Sequence, residues 1–272
     1  MRHTLPLAFA ALLASALAGG GALAENPKDF AQFKATGACP KCDLKRSDLK
    51  SLSFEKANLE RAMLRDIDGK ALQLRFANMT KGDLRRADLE TADLRGANLS
   101  QANLAGADLE KAALVEANLT EANLSEADME KADLTNANLS RAVMVSVLAK
   151  RAIFKGADLT KADMTRIRLE RSDMTGANMQ RAVLANADLE RTDFTGADMQ
   201  GAQFRGGRLT RAVFVDAKLQ GADFEDALIR LANFSGADLT EATGLDQEML
   251  SSACGDARTV LPSSYTIPAC VR

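Results

Sequence analysis

From Leu44 onward every fifth residue is apolar. Forty positions between Leu44 and Leu239 share this spacing, and 38 of them are Leu, Met, Phe or Ile, with only Gly69 and Ala149 differing. Two residues before each lies a small one: of those 40 positions, from Cys42 to Ala237, 29 are Ala and six more are Gly, Ser, Thr or Cys. The pattern fits neither regular element. On an α-helix a step of five turns the side chain about 140° past a full turn, which spreads the apolar positions around the axis. On a flat strand the side-chain period is two, so an odd step sends successive leucines to opposite faces. What remains is a chain that turns a corner once per five residues, so that each Leu and its preceding Ala both point inward. That chain is a β-solenoid.

Longer echoes set the number of sides. Gly156, Gly176, Gly196 and Gly236 recur at twenty or its multiple; Asn78, Asn98, Asn118 and Asn138 recur at twenty, as do Phe194, Phe214 and Phe234. Four sides per coil follow, hence ten coils and a rod roughly 48 Å long at about 4.8 Å between paired strands. A core of Ala and Leu leaves no interior room for a ligand. It also accounts for a chain of 272 residues that is 46% hydrophobic yet only 4% aromatic, with no Trp.

The only histidine is His3. It lies in a leader, residues 1–24, with a basic start at Arg2, an apolar stretch from Leu5 to Ala18 and Ala22-Leu23-Ala24 before Glu25. This reads as a secretory signal cleaved after Ala24, its apolar stretch being short against the roughly 20 residues a bilayer needs. The mature chain then has no imidazole, which removes Ser-His, Cys-His and His-metal chemistry. We expect no catalytic residues, no metal and no cofactor. The near balance of 35 bases and 37 acids argues against non-specific nucleic-acid binding.

Four cysteines remain in two local pairs, Cys39 with Cys42 and Cys254 with Cys270. Disulfides in an oxidising compartment are the favoured reading; a redox-active CPKC or a zinc site is the alternative. Ten coils would hold the two pairs too far apart for one zinc. Residues 25–43, with Phe30 and Phe33, are expected to cap the first coil. Residues 243–272, with a short helix around Leu245 to Ala253, are expected to cap the last.

The motif A(D/N)LXX, matched across 42–242, resembles the pentapeptide-repeat family. The resemblance implies an all-β fold, a right-handed quadrilateral β-helix, here a solenoid over 44–242. It also implies an end, commonly C-terminal, through which members dimerise; Phe154, Phe194, Phe204, Phe214, Phe224 and Phe234 crowd the central positions there, so a homodimer is one expectation. The best-understood members are acid-coated rods that resemble duplex DNA and bind type II topoisomerases.

Outward positions stack in ladders. Lys111, Lys131, Arg151, Arg171, Arg191 and Arg211 form a basic one, with Glu110, Glu130, Glu170 and Glu190 beside four of them, read as self-neutralising pairs. Asp68, Asp88, Asp108 and Asp128 form an acidic one, read as a solvated face ahead of a cation site. The Asn ladder reads as amides bonded along the axis. Val143, Val145, Leu148 and Ile153 fall in outward positions of RAVMVSVLAKRAIF and form a candidate partner patch, unless Leu148 turns inward in place of Ala149. The leading functional expectation is a non-enzymatic scaffold for a protein partner, periplasmic or secreted, with no membrane span in the mature chain. The alternatives are a DNA-mimicking topoisomerase binder and a thiol oxidoreductase using Cys39 and Cys42.

Overall fold

The computed structural model describes residues 26–262 and 264–270. The expected leader lies outside them. Parallel bridges join each fifth residue to the one twenty positions on, without a break from Ala38↔Asn58 to Asp223↔Thr243. The chain is a four-sided β-solenoid whose rungs are single bridged residues. We number its faces by their ladders: face 1 from Asp43 to Thr243, face 2 from Asp48 to Leu228, face 3 from Ser53 to Cys254, and face 4 from Ala38 to Val260.

One pentapeptide, 123–127, shows why the motif has its form. The N–H of Leu124 donates to Val143 O at 2.7 Å, that of Glu126 to Val145 O at 2.9 Å, and that of Asn123 to Ala102 O at 3.0 Å. The N–H of Ala127 closes a turn onto Leu124 O at 3.0 Å. The fifth donor, Ser125 N–H, would be orphaned by the ladder; it goes to Asn123 Oδ1 at 3.0 Å. Every backbone donor of this pentapeptide is thus satisfied, the last one by the short side-chain carbonyl that Asn, and Asp elsewhere, supplies at that reach. The Asn ladder accordingly differs from the axial amide stack expected of it: Asn78, Asn98, Asn118 and Asn138 each turn the amide oxygen onto the backbone N–H two residues on.

The corner has its own requirement. Its second residue has positive φ at every fifth position from Lys41 to Glu241, as the third residue of a type II turn must. Glycine meets this without strain at Gly156, Gly176, Gly196 and Gly236, which explains that echo. Elsewhere Lys, Arg and Glu hold it, at roughly 1–2 kcal/mol each, a strain that the ladder bonds on either side over-determine.

Inward positions are closed apart from Leu52 and Phe54, which are half-buried near the N-terminal cap. Central residues such as Leu104, Leu124 and Phe214 are 0% exposed. The two exceptions to the central pattern are filled from beside: Ile67 and Leu72 occupy small-residue slots around Gly69, and Val147 does so before Ala149. Where that slot is polar, two of the three hydroxyls find a carbonyl, Ser172 Oγ donating to Ala149 O and Thr192 Oγ1 to Leu169 O, both at 2.7 Å, while Ser47 Oγ is buried without a partner among the described residues.

Helix α1, Pro27–Thr36, covers the first coil. Asn26 caps it, Pro27 opens it, and Gly37 ends it in the left-handed region. Phe33 is buried beneath it, 4.6 Å from the Phe54 ring, and Asp29 Oδ2 accepts the Asp43 N–H at 2.7 Å. At the other end the ladder breaks at Gly244. Helix α2, Gln247–Ser251, crosses the opening, and the chain rejoins the ladders at Cys254 and Val260. Among the described residues no helix is long and apolar enough to cross a membrane.

Candidate interaction surface

With the interior filled, the described residues leave the outer faces and the two ends for binding chemistry. The described residues hold no cluster of His, Cys, Asp or Glu suited to a metal. Both cysteine pairs are joined, Cys39 to Cys42 and Cys254 to Cys270. Cys39 is fully buried and Cys42 7% exposed, which limits access of an attacking thiolate to this pair.

Face 2 and the corner after it carry more charge than any other face. Lys111 Nζ sits between Glu90 at 3.3 Å and Glu110 at 2.9 Å; Lys131 sits between Glu110 at 3.6 Å and Glu130 at 2.8 Å. These are the self-neutralising pairs the sequence suggests, formed between coils as well as within them. The zipper then loosens: Arg191 keeps Glu190 at 3.8 Å, and Arg208 reaches Asp188 at 3.0 Å and Glu190 at 3.4 Å. Arg151, Arg171 and Arg211 continue the same basic ladder with no carboxylate at ion-pair distance among the described residues, and Glu170 turns instead to Lys150 at 2.8 Å and Arg168 at 3.4 Å.

On the acidic ladder, Asp68 pairs with Lys50 at 2.6 Å and Asp88 with Lys70 at 3.4 Å. Asp108 and Asp128 have no such cation; each accepts only a backbone N–H, from Glu110 and Glu130, at 2.9 Å. Partial burial, and then the carboxylates of Asp88 and Asp128, hold the Asp108 carboxyl above its ordinary value. Other aspartates go the opposite way: the hydrogen bonds from Arg85 lower Asp83, and those from Arg86 lower Asp66.

The four apolar residues of the candidate patch do not share a face. Val143 lies on face 1, Leu148 on face 2 and Ile153 on face 3, each between polar ladder neighbours, while Val145 occupies the corner between the first two. Leu148 points outward and Ala149 stays buried, so the register does not slip. Contiguity in sequence becomes a belt around one coil. Two exposed apolar residues absent from the sequence-based list, Leu228 and Leu231, do lie close together, at 58% and 47% exposure beside the C-terminal opening. Their positions, five and eight residues past Asp223, break the polar rule of the outward sites and so were visible in the repeat.

Known proteins place this architecture. The solved structure of HetL, a pentapeptide repeat protein involved in heterocyst differentiation regulation from the cyanobacterium Nostoc sp. strain PCC 7120, is 30% identical; the match covers 79% of this chain and 97% of that one with a TM-score of 0.59. QnrB1, a plasmid-mediated fluoroquinolone resistance protein, is 21% identical over 66% of this chain and 90% of its own, with a TM-score of 0.43. A pentapeptide repeat protein from the Arabidopsis thaliana thylakoid lumen is 28% identical, covering 37% and 75%, at 0.29. A comparison with curated proteins gave no match. The pentapeptide repeat signature itself is found in eight copies over 73–110, 102–141, 152–189, 172–211 and 208–243. The chain belongs to the pentapeptide repeat family.

Proposed function

We propose that this protein is an exported, non-enzymatic scaffold that presents stacked side-chain columns to a protein partner in the periplasm or outside the cell. In this reading residues 1–24 are removed after Ala24, and the rod is right-handed and about ten coils long. One observation carries it: apart from half-buried Leu52 and Phe54, the inward positions are closed from Leu44 to Leu239, so among the described residues the outer faces and the two ends are the surface left for recognition. The disulfide at each end supports the oxidising compartment, and the part HetL takes in regulating differentiation fits a protein acting through contacts.

A second reading, the DNA mimic, draws on the column Asp48, Asp68, Asp88, Asp108 and Asp128. Lys50, Lys70, Lys111 and Lys131 interleave with that column and weaken the likeness to a phosphate backbone. Intact masses of the native protein from separated cytoplasmic and envelope fractions distinguish the two. An envelope chain beginning at Glu25, lighter than the reduced form by the hydrogens of two disulfides, is expected. A full-length, reduced cytoplasmic chain would overturn the export reading, and inhibition of DNA supercoiling by that chain would establish the other.

A further inference from the structure

The corner after face 2 becomes a basic ridge in the second half of the rod. Arg151, Arg171, Arg191 and Arg211 follow one another coil by coil, and Arg230 lies on the coil after them. All five are exposed. The carboxylates of this ridge are engaged by other bases. Glu130 holds Lys131 at 2.8 Å, Glu170 holds Lys150 at 2.8 Å, and Asp188 holds Arg208 at 3.0 Å. Glu190 is shared between Arg208 at 3.4 Å and Arg191 at 3.8 Å. Arg151, Arg171, Arg211 and Arg230 are left without a carboxylate at ion-pair distance among the described residues. Arg151 and Arg171 also line a shallow recess with Lys150, Glu130 and Glu170.

We propose that this ridge binds an acidic α-helix of a protein partner, laid along the rod with one Asp or Glu per turn facing it. The inference rests on the scaffold reading and names the kind of partner that scaffold would hold. Charge sets the sign, and period sets the shape. Rungs lie about 4.8 Å apart, and a helix returns to the same face about every 5.4 Å. The slip reaches about 2 Å over three turns, which an exposed arginine side chain can follow. An extended strand repeats its face about every 6.6 Å and is about one rung out of step over the same span. Phosphates along one strand of duplex DNA, about 3.4 Å apart, fall behind by nearly as much. Each guanidinium can take a carboxylate through two parallel N–H donors. Exposed ion pairs are individually weak, so binding depends on the sum along the ridge and on salt. The diagonally opposite corner, after face 4, offers less: Lys161 and Arg181 are likewise without carboxylates, but Gly201 and Gly221 end that column.

Two labelled peptides of equal composition test this on the disulfide-bonded chain from Glu25. Both are locked helical by a side-chain cross-link; one carries four Glu on a single face, and the other carries them spread around the axis. Fluorescence anisotropy at about 0.1 M salt should show the aligned peptide binding at least about tenfold more tightly, with the difference lost at about 1 M as the screening length falls from about 10 Å to about 3 Å. Arg171→Glu combined with Arg211→Glu should weaken the aligned peptide at least about tenfold, the step that about 1.4 kcal/mol produces. Lys161→Glu combined with Arg181→Glu makes the same change in net charge on the diagonal corner and should leave binding unchanged. Glu already holds the positive-φ corner site at Glu116, Glu121 and Glu126, so both variants keep the fold, which circular dichroism checks. Equal binding of the two peptides, or equal losses in the two variants, overturns the proposal. So does tighter binding of an extended acidic peptide or of a single-stranded DNA oligonucleotide. Absence of binding to the aligned peptide overturns it too but leaves the scaffold reading standing, because that reading fails on the masses of the cell fractions instead.

Discussion

The two halves of the rod solve the same backbone problem with different side chains. In the first, the inward column through Leu94, Leu114 and Leu134 is aliphatic. In the second, the same column becomes Phe154, Met174, Phe194, Phe214 and Phe234, with Phe194–Phe214 and Phe214–Phe234 stacked at 5.1 and 4.9 Å. Phe204 and Phe224 stack on the opposite side and meet them edge to face, Phe204–Phe214 at 6.1 Å. Yet the rungs are alike: Leu114 N–H reaches Asp133 O at 2.7 Å, and Phe214 N–H reaches Asn233 O at 2.7 Å. The backbone ladder and the capped turn set the coil, and the side chains vary within it.

The sharpest way to break the comparison is to empty the same slot in each half. Leu114→Ala should cost about 2–5 kcal/mol and Phe214→Ala about 3–5 kcal/mol. Each lost aromatic pair adds about 0.5–1.5 kcal/mol, so the phenylalanine variant should be the less stable in urea unfolding. Equal losses would mean that ring stacking contributes nothing beyond area. Because coils contact chiefly their neighbours, each variant should also lose hydrogen-exchange protection first in its own half.

The coil was legible in the sequence because the inward positions have no freedom: a period of five with Ala before Leu admits one backbone. Corners were partly legible. Gly176 and Gly196 stood out only as an echo at twenty, and Arg171 and Arg191 in the same kind of site gave no sign of their conformation, since the ladder imposes positive φ on residues that would not choose it. Outward residues were the least legible. Val143, Leu148 and Ile153 look like one patch in a line of text, and the turn between each pair sends them to three faces. The role of Asn78 or Asn118 was likewise hidden, because stacking along the axis and capping a local N–H leave the same trace at a period of twenty.

The two ends offer a smaller contrast. Cys254 and Cys270 are 16 residues apart and tie the returning tail to the cap, whereas Cys39 and Cys42 are separated by three and close a single turn. Chain entropy assigns about 3 kcal/mol to the longer loop and about 2 kcal/mol to the shorter. Replacing Cys254 and Cys270 together by Ser should therefore lower the thermal midpoint more than the same change at Cys39 and Cys42. The reverse order would show that the buried N-terminal pair is held chiefly by packing under Phe33.

The finest contrast lies between aspartates of the first half. Asp108 is held above its ordinary value by burial and by its acidic neighbours, so its charged form opposes folding. That penalty is present above the folded value and vanishes as pH falls below the unfolded one. Asp83 is lowered by its hydrogen bonds from Arg85, at 2.7 Å to Oδ1, so its charged form favours folding. Its contribution is present above the unfolded value and is lost as pH falls through the folded one. Both side chains keep an oxygen for the capped N–H when changed to Asn. Asp108→Asn should then stabilise the protein at pH 7 by about 0.5 kcal/mol, the scale of one like-charge pair across a rung. Asp83→Asn should destabilise it by a similar amount, about 0.5 kcal/mol for an exposed ion pair. Both effects should fade toward pH 3 in denaturation curves, and a shared sign at pH 7 would refute the assignment of one strained and one satisfied carboxylate.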